Sequence, residues 1–248
     1  MTLPPERFFL DDALDVARAI QRADLDAVRR LAPSVDLRAR GAEDATLTIY
    51  AFHEALTREP ARLAVLSAVV ACDPESVQVR HPEAGTALEL ALVATSPVFI
   101  TALLDGGVSP DVTLGDTGTP ALCFAPRDVC VENLGVLLDR GAHLEARDFR
   151  GSTALMRALY ELQLDALEYL LQRGADVRVV DRSGVSFLYA LSRLIERQPD
   201  DAELRRRMVA VRDRYAWEGM WPPATPEVER ERMRERGETP IVPSGHSR

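Results

Sequence analysis

The sequence predicts an all-α protein built as a solenoid of short helix pairs. Three observations carry that prediction: a gapless 33-residue self-alignment in the second half of the chain, hydrophobic residues at helical spacing in every segment, and a composition poor in sheet formers. Of 248 residues, 46% are hydrophobic but only 6% aromatic, with Ala, Leu and Val prevailing. Close helix packing suits such residues better than a sheet core, which favours β-branched and aromatic side chains. The length exceeds that of a usual single compact domain, and a repeat array accommodates it without one oversized core.

The repeat is clearest in two consecutive stretches, residues 115–147 and 148–180. Gly118 aligns with Gly151, Ala121-Leu122 with Ala154-Leu155, Leu137-Leu138 with Leu170-Leu171, and Gly141-Ala142 with Gly174-Ala175. A third unit opens in phase, with Gly184 and Leu188 one period after Gly151 and Leu155.

From the N-terminus, residues 8–40 read as a first unit whose leading hairpin is missing. Residues 41–80 keep two helical segments joined by a lengthened connection at Arg58-Glu59-Pro60. Residues 81–114 keep Thr86-Ala87-Leu88 and Leu103-Leu104, with Gly107 at the terminating position, and are one residue longer. In 148–180, Ser152 or Thr153 is placed to cap a short helix carrying Leu155, Ala158 and Leu159. A second helix from about Asp165 places Leu167, Leu170 and Leu171 on one face, and Gly174 supplies the left-handed residue that ends it. The stretch 175–184 is then extended and closes in a turn.

In residues 181–216 the pattern changes: the first helix runs on to about Arg197, and a longer one, from Ala202 to Tyr215, opens after Asp200-Asp201. Such an atypical last unit covers the end of a stack. Residues 217–248 form a tail expected to be partly disordered. Trp217–Pro223 is apolar and kinked, and is expected to fold back as a lid rather than to serve as a separate partner motif. An exposed helix of alternating charge follows, with Val228 and Met233 its only apolar residues.

G-x-T-A-L, a short helix, a leucine-rich helix and then G-A-D-V: this order, at Gly151–Leu155 and Gly174–Val177, is similar to the ankyrin repeat, and the resemblance extends over residues 8–216 as about six units. It implies an ankyrin-repeat domain that binds another protein through a concave surface of hairpin tips and first helices. Transferred position by position, that surface comprises Asp116, Thr117, Thr119, Arg127 and Asp128 from one unit. Arg147, Phe149, Arg150, Tyr160 and Glu161 come from the next, with Val180, Arg182 and Arg193 after them. Arginine and aromatic side chains are the types enriched at binding hot spots, and Phe149 has no evident core role. An acidic or mixed-charge protein patch is the expected complement of Arg147, Arg150, Arg182 and Arg193.

Other readings are weak. All 30 basic residues are arginine, which reads as the mark of a GC-rich, bacterial genome, and the net charge is −9. That charge argues against nucleic acid or anionic membrane as a general partner. Residues 1–114 carry 17 acids against 10 arginines, whereas residues 115–216 carry 16 against 15. No signal peptide is evident, so a cytoplasmic location is expected. Cys72, Cys123 and Cys130 read as free buried thiols, the histidines His53, His81, His143 and His246 are scattered, and acidic pairs such as Asp11-Asp12 and Asp200-Asp201 read as helix starts. No catalytic motif occurs, and the lack of lysine excludes a Walker-type phosphate loop. No enzyme activity, cofactor or metal is therefore expected. The leading function is a protein-binding adaptor or specific inhibitor, including a toxin-neutralising immunity protein, acting as a monomer or in a heterocomplex. Alternatives are a secreted bacterial effector acting on host proteins and an enzyme with an unrecognised site.

Overall fold

Helix starts recur in the structure with the period the sequence announces. In the computed structural model, which describes residues 4–127, 130–199 and 202–242, α7 (Ala121–Phe124), α9 (Ala154–Tyr160) and α11 (Phe187–Arg197) begin at 121, 154 and 187. Helices α8 (Val131–Asp139) and α10 (Leu164–Gln172) keep the same interval. Before them come α1 (Asp11–Gln21), α2 (Leu25–Leu31), α3 (Leu47–Ala55), α4 (Pro60–Cys72), α5 (Ala87–Val93) and α6 (Val98–Asp105). After them come α12 (Glu203–Trp217) and α13 (Pro226–Glu235). The strand content of the described residues is two short pieces, β1 (Thr113–Leu114) and β2 (Thr119–Pro120), and two isolated bridges, His81 with Gly85 and Val180 with Ser186.

The chain divides into two compact units. The first comprises residues 1–114 and 132–142, the second residues 115–131 and 143–248.

In the first unit the starts of α2, α3, α4 and α5 each have a local cause. The Asp24 carboxylate accepts the Ala27 N–H ahead of α2, and the Thr46 hydroxyl accepts the Ile49 N–H ahead of α3. Thr86 and Glu89 form a reciprocal capping box at α5, which satisfies two amides that the helix itself leaves unpaired. Pro60 opens α4 at a position where a missing N–H costs nothing. Ile20, Leu47, Leu66, Leu88, Ile100, Leu103 and Leu134 are fully buried between the pairs. Each such side chain contributes about 1.5–3 kcal/mol by leaving water. Asn133 is buried among them because its Nδ2 donates to the carbonyls of Leu92 and Ala94, both at 2.9 Å.

In the second unit the apolar core consists of Leu122, Leu155, Met156, Leu159, Leu167, Leu170, Phe187 and Leu191, joined by Met208 of α12. Arg207 ties α12 to α10 through Glu168 at 2.9 Å and Asp165 at 2.6 Å. Beyond α10, Gly174 lies at φ +90°, the left-handed conformation expected of it. The backbone runs on to the Val180–Ser186 bridge and the next turn.

Three expectations are corrected. Thr153 occupies the N-cap of α9 but makes no capping bond, and its hydroxyl is buried without a partner. The turn before α9 is instead closed by Asp148. Cys72 is exposed, whereas Cys123 and Cys130 are buried. Helix α13 is not free in solvent, since Pro226 and Met233 are both buried. Of the apolar segment before it, Trp217 is 93% exposed at the end of α12, while Met220 and Pro222–Ala224 face Val177, Val180 and Leu188 across a groove. Asp128, Asp200, Asp201 and His246 lie outside the described residues.

Candidate protein-binding surface

Two buried aspartates, one period apart, build the tips of the second unit. Asp148, 6% exposed, accepts the N–H groups of Arg150 and Ser152 at 2.9 Å each, while its own N–H donates to Ser152 O at 2.9 Å. Asp181 repeats the arrangement, accepting from Ser183 N at 2.8 Å and Val185 N at 3.0 Å. A carboxylate that gathers its own loop's amides fixes the turn and leaves the intervening side chains pointing outward. Those side chains are Phe149 and Arg150 in one turn and Arg182 in the other.

The two tips are joined. The Arg182 N–H donates to Arg150 O at 2.9 Å, and Arg147 Nη1 donates to Val180 O at 3.1 Å. Five of the expected residues, Arg147, Phe149, Arg150, Val180 and Arg182, therefore form one patch. Its centre is Phe149, 47% exposed, with the Arg150 guanidinium 5.3 Å from the ring centroid. Neither Arg147, Arg150 nor Arg182 has an ion-pair partner among the described residues, because the nearby carboxylates of Asp148 and Asp181 are committed to the turns.

Beside the patch, Tyr160 ends α9 at 42% exposure. Burial, then the charges of Asp181 and Asp148, push the phenol well above its ordinary range. Glu161 sits between two cations, Arg157 as a close partner and Arg127 at 3.9 Å. Asp116 and Thr117 are exposed, with the Thr117 and Thr119 hydroxyls 3.0 Å apart. Arg193 stands apart on α11, paired with Glu196 one turn on.

Sequence reading missed Arg157, although its i,i+4 spacing to Glu161 signals the pair. It also missed the structural aspartates, whose signal is the repeated Asp-x-x-Gly of Asp148–Gly151 and Asp181–Gly184. Among the described residues no cluster of His, Cys, Asp or Glu is arranged to hold a metal ion, and no helix is long and apolar enough to cross a membrane.

Fold and surface together define a helix-pair repeat scaffold that displays its turns. The comparisons agree with that scaffold: residues 150–182 match the ankyrin repeat, and the likenesses below support an ankyrin-repeat protein. It is similar to the mouse B-cell lymphoma 3 protein homolog, 32% identical over 156 residues, covering 56% of this chain and 34% of that protein. It also resembles human SH3 and multiple ankyrin repeat domains protein 2, 38% identical over 91 residues, covering 36% of this chain and 5% of that one. The chain thus matches about a third or less of these relatives' length. Among solved structures, the ankyrin repeat domain of Bcl-3, described as a unique member of the IkappaB protein family, superposes with a TM-score of 0.57 at 24% identity, covering 81% of this chain and 85% of that one. An ankyrin repeat domain from Acinetobacter baumannii gives a TM-score of 0.54 at 16% identity, covering 79% and 96%. These likenesses establish the all-α ankyrin-repeat fold, and ankyrin repeats support a protein-interaction module.

Proposed function

We propose that the chain is a cytoplasmic binding protein without an enzymatic activity of its own, an adaptor or specific inhibitor that grips one protein partner through the tips of its second unit. The observation that carries this reading is Phe149, held out at 47% exposure among three arginines without ion-pair partners among the described residues. A half-exposed ring stabilises nothing in the core, and guanidinium groups around it that lack a carboxylate partner among the described residues suit a partner that brings carboxylates and an apolar side chain. The excess of acids in residues 1–114 limits the affinity of the whole chain for nucleic acid, which favours protein over nucleic acid as the partner. Neutralisation of a toxin is one form such inhibition takes.

The test is affinity capture from the producing organism with wild type and with an Arg147→Glu, Phe149→Ala, Arg150→Glu variant whose helicity is checked by circular dichroism. One protein retained by wild type and absent from the variant is expected. Equal retention by both would place the interface elsewhere.

A further inference from the structure

We propose that the segment Pro226–Val242 is a displaceable cover on the last hairpin, which occupies the main-chain edge at Arg182 and Ser183 and so lowers access of the partner to that edge; this deepens, and rests on, the reading of the tips as the binding surface.

Helix α13 is charged round most of its circumference, yet it buries Pro226 and Met233. The reason is its seat on the turn at 182–184. Arg230 Nη1 donates to Ser183 O at 2.9 Å. Gly184, at φ +85°, has no room for a side chain, since a Cβ there would lie 2.6 Å from Pro226 O and 2.7 Å from Arg230 Cγ. Further on, the Ile241 N–H donates to Arg182 O at 2.6 Å. Because the Arg182 N–H already donates to Arg150 O at 2.9 Å, Ile241 takes the next place in that succession of main-chain bonds. The tail stands where a further hairpin or a partner's extended segment would stand.

The attachment is also weak in kind. The tail's ion pairs are internal: Arg230 with Glu227, Arg232 with Glu229, Arg234 with Glu231 and Arg236 with Glu238. Among the described residues no charge pair ties the tail to the hairpin. What holds it is Met233, Pro226 and hydrogen bonds to the carbonyls of Arg182 and Ser183. Even when docked, Ile241 and Val242 remain 51% and 63% exposed. A segment with few apolar contacts opens at a fraction of the global unfolding free energy. A ligand that needs the open form binds with its intrinsic affinity reduced by the open fraction.

The experiment uses the full chain and a fluorescent oligoglutamate peptide ending in phenylalanine as the acidic probe. Met233→Glu should speed tryptic cleavage between Arg230 and Arg236, and should tighten peptide binding by about tenfold if about a tenth of wild-type molecules are open. Val228→Glu, which adds the same charge at a 45% exposed site on α13, should change neither. Cleavage unchanged by Met233→Glu, or faster cleavage with unchanged peptide affinity, would overturn the cover. Peptide binding unaffected by Arg150→Glu would overturn the tip reading and the cover's role with it, and the cleavage rates distinguish that failure from the others.

Discussion

The Arg150 guanidinium lies 5.3 Å from the centroid of the neighbouring Phe149 ring, at the outermost point of a turn whose aspartate is buried beneath it. Stacking holds both side chains in place before a partner arrives, which lowers the entropy lost on binding. The turn supplies the position, the ring the apolar contact and the guanidinium the charge.

Removing the ring should therefore separate binding from stability. Phe149→Ala is expected to change unfolding free energy by no more than about 0.5 kcal/mol, as for an ordinary surface site. It should weaken partner binding by about 2 kcal/mol, the scale of a hot-spot residue. Urea denaturation and titration calorimetry with the captured partner measure the two quantities.

The aspartates beneath the tips behave in the opposite way. Asp148→Ala and Asp181→Ala each leave two loop amides without their acceptor. Each should cost about 2 kcal/mol of stability, since orphaned donors that are buried or part-buried carry a desolvation penalty. Chemical denaturation reads this directly; a loss below about 0.5 kcal/mol, the range of ordinary surface changes, would contradict the assigned role.

At Gly174 the cost of substitution is conformational alone. Its φ is +90°, and a Cβ there would meet nothing within 4 Å. Gly174→Ala should lower stability by about 1 kcal/mol, and Gly174→Asn by less, because asparagine tolerates left-handed backbone. Equal losses for the two would point to packing instead.

The thiols should divide by burial. Cys72 is exposed, and it alone should react rapidly with a thiol reagent in the folded protein, with Cys123 and Cys130 reacting on unfolding. Burial, then the charge of Asp148, pushes the Cys123 thiol from 9.0 up to about 12. The folded state thus keeps a proton that the unfolded state releases. Its stabilising contribution is whole below pH 9.0 and is lost as pH rises toward about 12. Cys123→Ala should flatten that alkaline decline in a denaturation series.

Most of the scaffold is legible in the sequence because its determinants are local. Leu155, Leu167 and Leu170 fall at helical spacing, Gly174 ends a helix by its own backbone freedom, and the 33-residue period repeats these signals. The tips are half legible: a position-by-position transfer names Phe149 and Arg150, but not Asp148, whose role depends on which loop amides converge on it. The docked tail is not legible. Met233 is a single apolar residue in a charged helix, and its burial depends on Gly184, 49 positions earlier in the chain, leaving α13 room to approach. Similarly, Cys72 and Cys123 look alike as small apolar residues, and only tertiary packing separates them.

The central claim is that the partner sits on the tips of the second unit. A photo-crosslinking phenylalanine analogue placed at 149, and in a second sample at Tyr169 on α10, tests it in the producing cells. The account predicts one discrete adduct with a single protein from position 149 and none from 169. Adducts from 169 alone, or the same adduct from both positions, would contradict it.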